Sequence, residues 1–552
     1  YVRYKQARDI AVNLVELHSR LIATNVKNDA DMTFTAINTL PQKRKDTVIV
    51  KTYVPGGKFA IIDEKGNDVD YTIIKSRDLT DYVLSQTIML DPSRKFYVPD
   101  QVLEVTMAIK ANDVPALGYV QYSIDTQKDS HKETADKKVL ENKYYTIEVE
   151  ENGSLTIVDK ANNVTYKNQG ILVENGDDGD SFNYSPPRKD MEVFSNESKC
   201  TVKISGSDIY DQAEIHFDMV VPADLDERAE GKVSVTMLVD MTVALRKDSK
   251  VIDFNVKVDN KGLSHRLCVL FDSQIVSAFN YADQQFGLIK RPNYYEKEMK
   301  LYMESMNNKT EKKAGIQELA NWANDQSTWQ EPPISIEPTQ SYVSLTDGKT
   351  GIAVIPQGVR EYEVLDDSKI RLTLFRTYGF MGKENLIYRP GRASGERIIE
   401  TPAAQLLKEM EFNFGFTSYA GDINDSDIDT LAKQYNTNLE VYTYAEFLNG
   451  RLIFSQREIE GQNAKIHSLF ETEGNLVVSA VKKAEEDDGY IIRLYNGKDH
   501  KDLDDKIKFN FDIKEAYYTN LKEEKTEEIK VENNTISVKE LSHCKFVTIW
   551  VK

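Results

Sequence analysis

Two polar clusters in the 552-residue sequence hold side chains that could do chemistry. The first is Glu174-Asn175-Gly176-Asp177-Asp178-Gly179-Asp180-Ser181-Phe182-Asn183-Tyr184, whose first seven residues carry four carboxylates and two glycines. Carboxylates so close together repel one another unless a cation or hydrogen-bond donors sit among them. Three readings are open. The segment is a solvated acidic turn, or a calcium loop that lacks the EF-hand spacing and its terminal Glu, or a loop that offers Asp177, Asp178, Asp180 and the Tyr184 hydroxyl to the hydroxyls of a sugar.

The second cluster is Tyr388-Arg389-Pro390-Gly391-Arg392, with Arg376 upstream. Arginines in a Pro-Gly turn can grip a carboxylate in fork geometry. They can equally pair with acidic groups of the chain itself. Trp322 and Trp329 are either stacking platforms or packing residues. His265, just before Arg266-Leu267 and a strand, reads as a structural histidine.

The seven histidines (His18, His131, His216, His265, His467, His500 and His543) lie far apart, so no HExxH or HxH zinc pair exists. Zinc-knuckle cysteine pairs, a GxSxG elbow, a Walker loop and a GxGxxG turn are absent from the sequence. Any catalytic site must therefore be assembled from residues distant in sequence. The net charge of −19 argues against nucleic acid as a partner, because phosphate binding needs clustered Lys and Arg. Cys200, Cys268 and Cys544 are widely spaced and odd in number, which fits a reducing, cytoplasmic compartment better than a disulfide framework. No run of about 18 apolar residues predicts a transmembrane helix, and no secretory signal is visible.

The elements that must position these clusters are mostly strands. Residues 1–26 are the exception: Ala7, Ile10, Ala11, Leu14, Leu17 and Leu21 recur at helical spacing opposite a charged face. One helix cannot bury such a stripe alone, so it packs on the strands after it or is the last helix of a bundle. Tyr1 starts inside this helix, and the true N-terminus is expected elsewhere. From Asn28 the pattern turns to period two. Strands are predicted at Thr33–Ile37 and Val48–Val54, then a strand-rich stretch to Ile124 and a polar linker from Asp125 to Lys138.

Tyr145, Ile147 and Val149 alternate up to Asn152-Gly153, and Leu155 and Ile157 alternate after it, which predicts a hairpin whose two turn residues both take positive φ. Val233 to Leu245, partnered by Ile252 to Val258, forms strands long enough for a large sandwich. Helices are predicted at Tyr295–Met306, Ala314–Ala323 and 424–436, the last with Ile428, Leu431 and Ala432 inward. Strands fill the remainder, including Ile507–Ile513 and a pair around Asn533-Asn534. The fold class is mainly β, and a period of about 20–50 residues is absent, which excludes a propeller or solenoid.

An ordered series of short stretches resembles the region after the catalytic domain in glycoside hydrolase family 38, especially its bacterial branch of α-mannosidases and mannosylglycerate hydrolases. Ala36-Ile37-Asn38-Thr39-Leu40-Pro41 and Val114-Pro115-Ala116-Leu117-Gly118-Tyr119 are similar to the start and end of that family's first β-domain. The Gly176–Asp180 loop with Asn183-Tyr184-Ser185-Pro186, then His265-Arg266-Leu267, Phe286-Gly287-Leu288-Ile289-Lys290-Arg291-Pro292 and Gly351-Ile352-Ala353-Val354, resemble its large β-domain. Arg389-Pro390-Gly391 and Thr401-Pro402-Ala403-Ala404-Gln405 resemble the bacterial branch, and Asn475–Ala484 with Arg493-Leu494-Tyr495-Asn496 continue the match.

The resemblance implies four units: residues 1–28 as the last helix of a helical bundle, 29–135 as a small β-sandwich, 136–420 as a large mutarotase-like β-supersandwich, and 421–552 as a C-terminal β-sandwich. It implies a retaining, zinc-dependent hydrolase acting on α-mannosides or mannosylglycerate, with an Asp nucleophile and the zinc in an N-terminal catalytic domain. The family's zinc-binding motif is absent here. The chain alone is therefore expected to bind no catalytic zinc and to hydrolyse nothing, and the missing catalytic domain is its expected partner, with a homodimer allowed. Loops of the large β-domain reach the active-site rim in the family, which makes Asp177, Asp178, Asp180, Tyr184, Arg389 and Arg392 candidates for contacts to substrate or to the catalytic domain. The alternatives are a stand-alone carbohydrate-binding or scaffold protein, and a mutarotase-like isomerase that would need a His and a carboxylate facing one cavity.

Overall fold

A computed structural model describes residues 2–86, 98–307, 331–389, 398–453, 461–499 and 501–552. Arg392, Trp322, Trp329, His500 and the helix expected at Ala314–Ala323 lie outside the described residues. The chain is mainly β, as its alternation predicts: antiparallel sheets dominate after one long N-terminal helix.

That helix, Val2–Thr24, leaves Ile10, Leu14 and Leu21 more than half exposed, and its buried residues Ser19, Ala23 and Thr24 all lie in its last two turns. The apolar stripe read from the sequence is real, and among the described residues nothing covers it.

The small sandwich packs Arg44–Val54, Leu103–Val114 and Tyr71–Asp78 against a sheet built on Met32–Asn38 and Gly118–Asp125. Phe34, Val50, Tyr71, Met107 and Tyr122 fill the space between. Two later strands join it: Glu440–Ala445 pairs with Met32–Asn38, and Ile466–Ser468 with Gly118–Asp125.

The large unit sets a ten-stranded sheet against a six-stranded and a four-stranded one. Its core is dictated by period-two residues. Met237, Val239, Met241, Val243 and Leu245 of Val235–Arg246 are fully buried, while Leu238, Asp240 and Thr242 point the other way. Tyr210–Val221 pairs with this strand along its whole length, and the short helix Leu225–Glu230 between them is capped by the Asp224 side chain and ended by Gly231 at φ 71°.

The hairpin at Asn152-Gly153 forms, with Val149 opposite Leu155. Its turn differs from the expected one: Gly153 has φ 80° but Asn152 does not take positive φ. Gly153 N–H donates to the Glu150 carbonyl and Glu150 N–H to that of Ser154, a longer turn with one left-handed glycine. The Asn152 carboxamide oxygen accepts from Ser154 N–H at 3.1 Å, an Asx contact that favours this geometry. Asn533 and Asn534 do both take positive φ. There the turn is closed by a single antiparallel rung, Glu532 with Thr535, and beyond it the strands part: Lys525–Glu528 pairs with Ala516–Thr519 in one sheet, and Thr535–Leu541 with Leu503–Phe509 in the other. The chain crosses between the two sheets of the C-terminal sandwich, whose core holds Ile492, Leu494, Ile507, Ile536 and Ile549. The strand expected over Ile507–Ile513 ends at Phe509. The helix Ile428–Asn436 turns Ile428 and Ala432 inward as its spacing predicts.

Candidate functional site

Three neighbouring strands of the six-stranded sheet end together. Gly176, at the end of Ile171–Gly176, lies opposite His265, and Arg266 lies opposite Arg376, at the end of Lys369–Arg376. The loops that leave these strands, 177–192 and 377–389, carry the two polar clusters. The fold brings them into one structure.

Asp177 is buried, and its carboxylate accepts from Gly179 N–H at 2.8 Å and from Arg376 Nε at 2.6 Å. The same guanidinium reaches the carbonyls of Asp180 and Asn183, each at 2.9 Å, and so fixes the loop's backbone as well as its charge. Asp180 is wholly buried between the Arg389 guanidinium and the N–H groups of Phe182 (2.9 Å), Asn183 (3.1 Å) and Lys383 (2.8 Å). Asp178 is half-buried and pairs with Lys383. Gly179 permits the turn, because a Cβ there would sit 2.1 Å from the Asn183 carbonyl oxygen. Burial pushes the Asp177 carboxyl above its ordinary pKa despite Arg376. Burial acts on Asp180 in the same direction, but Arg389 and the N–H donors outweigh it and hold that carboxyl below the ordinary range.

The cations that four crowded carboxylates require are thus supplied by the chain's own arginines and Lys383. The solvated-turn reading fails for Asp177 and Asp180, and of the two readings of the arginines, pairing within the chain holds for Arg376 and Arg389. Tyr184 is buried too: Asn175 Nδ2 donates to its hydroxyl at 3.1 Å, the Arg266 guanidinium lies 3.9 Å from its ring centre, and desolvation raises its pKa. What the loops expose instead is Phe182, 59% accessible, together with the charged Arg188, Lys189 and Glu384.

Behind the loops, His265 Nδ1 is 2.9 Å from Glu174 Oε1 and its Nε2 is 2.8 Å from Asn260 Oδ1, while Glu174 also pairs with Arg228. All four are buried. His265 is a structural histidine whose two nitrogens are occupied, and this His–carboxylate pair faces the interior. The sequence reading missed Lys383, Asn183 and Arg266 as partners. The one signal for Lys383 and Arg266 was charge balance, since buried carboxylates need cations from somewhere; Asn183 had none. Among the described residues, no three His, Cys, Asp or Glu side chains converge to hold a metal ion, and no helix is long and apolar enough to cross a membrane.

Residues 140–380 match the model of the glycosyl hydrolases family 38 C-terminal domain, and residues 475–548 that of the glycosyl hydrolases family 38 C-terminal beta sandwich domain. A putative mannosylglycerate hydrolase of Halalkalibacterium halodurans is 24% identical over 420 residues, covering 72% of this chain and 40% of that protein. A solved family 38 protein from Enterococcus faecalis superposes on all of the chain with a TM-score of 0.75 at 18% identity, and an α-mannosidase from the same organism with 0.74 at 18%. The chain covers 62% and 60% of those two proteins, so it spans less than two thirds of each relative's length.

Proposed function

The chain belongs to glycoside hydrolase family 38, and from that premise we propose that it is the β-rich C-terminal portion of a retaining, zinc-dependent enzyme that cleaves α-mannosides or mannosylglycerate. The observation that carries this reading is where the family match falls: both matching models are C-terminal domains of the family, and they lie in order along this chain. The uncovered apolar stripe of Val2–Thr24 supports it, as a surface for further helices of an N-terminal bundle.

The described residues do not fit a zinc site, and no step of the reaction is assigned to a metal on this chain. The ion and the reacting carboxylates belong, in this reading, to a preceding catalytic domain, and the chain alone is inactive. Its contribution is a rigid rim. Asp177, Asp180, Arg376 and Arg389 lock the loops in one shape, and Asp178, Tyr184 and the Arg389 turn share those loops with the exposed Phe182, where the catalytic domain or the substrate would meet them. Holding such groups on buried ion pairs costs no reordering when the substrate arrives. The enzyme works in the cytoplasm on this reading.

The test compares this 552-residue chain with a longer product that carries the preceding domain, using 4-nitrophenyl α-mannoside and mannosylglycerate as substrates and metal analysis of both samples. Hydrolysis by the longer form alone, with zinc bound and the anomeric configuration kept in the first product seen by NMR, is expected. Hydrolysis by the 552-residue chain alone sinks the proposal.

A further inference from the structure

A polar cleft lies on the outer face of the ten-stranded sheet, lined by none of the loop residues described above. It has a volume of about 660 Å³ and is bounded by the strand Arg44–Val54 of the small sandwich, by the sheet, and by the end of the helix Ile428–Asn436.

Its floor is set by strand register. Thr242 lies opposite Asn255, Asn255 opposite Asn413, and Asn413 opposite Gln357. Four adjacent strands therefore place four neutral hydrogen-bonding side chains in one straight row across the sheet. At a strand spacing of roughly 4.8 Å the row is roughly 14 Å long. Asn255 Nδ2 donates to Asn413 Oδ1 and to Glu411 Oε1, each at 2.7 Å, which fixes how both amides point. Among the described residues the Asn413 amide N–H groups, the Gln357 amide and the Thr242 hydroxyl have no protein partner. The hydroxyls of Tyr210 and Tyr435, which also line the cleft, make no protein hydrogen bond among the described residues and feel the charges of Asp253 and Arg246 nearby. Tyr435 lies against the floor, where a Cβ on Gly415 would sit 3.1 Å from its ring.

One end of the cleft is closed by a neutral bracket of charges. Arg246 donates to Asp46 at 2.6 Å and to Asp253 at 3.0 Å, and Arg44 donates to Asp46 at 3.0 Å and to the Gln434 carbonyl at 3.0 Å. Two guanidiniums and two carboxylates cancel, so this bracket offers no net charge to a ligand. The cleft offers donors and acceptors in a row, an aromatic ring and the half-exposed Ile49.

We infer that this cleft binds a neutral polyhydroxylated chain, an oligosaccharide segment lying along the Thr242–Asn255–Asn413–Gln357 row. Planar amides present a donor and an acceptor side by side, which suits vicinal hydroxyl groups, and the tyrosine ring suits the apolar face of a pyranose. The inference stands on the cleft and not on the hydrolase reading, and either can fail without the other.

The experiment titrates the 552-residue chain with two neutral probes, a linear α-mannotriose and maltotriose, by calorimetry and saturation-transfer NMR. At least one probe is expected to bind. Asn255→Ala with Asn413→Ala, which act on the solvent face of the sheet, should weaken binding by roughly tenfold or more without moving the unfolding midpoint. Gln357→Glu, a single change elsewhere in the row, should weaken it as well. Lys530→Ala, on the exposed surface of the C-terminal sandwich, should leave it unchanged. Absence of binding by both probes at millimolar concentration overturns the inference. So does binding that survives both the double substitution and Gln357→Glu.

Discussion

Arg389 and Asp180, 209 positions apart in the chain, meet as a buried ion pair in which the carboxylate also accepts three backbone N–H groups. Arg376 pairs with Asp177 across 199 positions, and that carboxylate also accepts from Gly179 N–H. Two loops that leave the strands on either side of the one beginning at His265 are stitched by these pairs into one rigid edge, and the acidic loop could not hold its shape without the arginines of the other.

Arg389→Met should therefore cost more than an ordinary surface change. It leaves Asp180 buried with its N–H donors but no counter-charge, a situation that typically costs about 3–5 kcal/mol. Asp180→Asn combined with Arg389→Met should recover part of that loss, because no charge is then buried. Chemical denaturation of the single and double variants measures the coupling. A loss in the double variant equal to the sum of the two single losses would show that the two side chains act independently.

Asp283 predicts a pH effect. Burial, with the Asp429 carboxylate nearby, pushes its pKa from 3.8 up to about 6, although a hydrogen bond from Ser341 acts the other way. The folded state thus keeps a proton that the unfolded chain releases between pH 3.8 and about 6. Stability should fall as pH rises through that window, and the full penalty should remain above it. Asp283→Asn keeps the shape without the charge. Its denaturation midpoint should exceed the parent's near neutral pH and converge with it below pH 3.8. A constant difference across the range would refute the assignment.

The bracket of Arg44, Asp46, Arg246 and Asp253 joins the small sandwich to the large unit. Asp46→Ala removes the carboxylate shared by both arginines, with an expected cost of about 1–3 kcal/mol. The loss should be local. Hydrogen exchange should quicken along Arg44–Val54 and 434–441, and the core strand Val235–Arg246 should keep its protection.

The uncovered stripe on Val2–Thr24 predicts self-association of the 552-residue chain at high concentration. Replacing Ile10, Leu14 and Leu21 by Glu should reduce that association in sedimentation velocity and leave the unfolding midpoint where it was, since these side chains contribute nothing to the described cores. A lowered midpoint would mean that the stripe is packed on its own chain.

By itself the sequence determined the mainly β class, the N-terminal helix with its apolar stripe, the faces of strands such as Val235–Arg246, and the existence of two polar clusters. These are local properties: period-two and helical spacing are written in neighbouring residues, and like charges in one loop demand compensation wherever the loop sits. The tertiary structure alone decided who compensates whom. Asp180 with Arg389 and Asp177 with Arg376 became partners because strand pairing set the ends of Ile171–Gly176 and Lys369–Arg376 on either side of the strand that begins at His265. It also decided that Asn152 would turn outside the left-handed region while Asn533 and Asn534 would enter it, and that Thr242, Asn255, Asn413 and Gln357 would share one row. Register is a long-range choice, made by the burial of whole faces and not by any residue in the row.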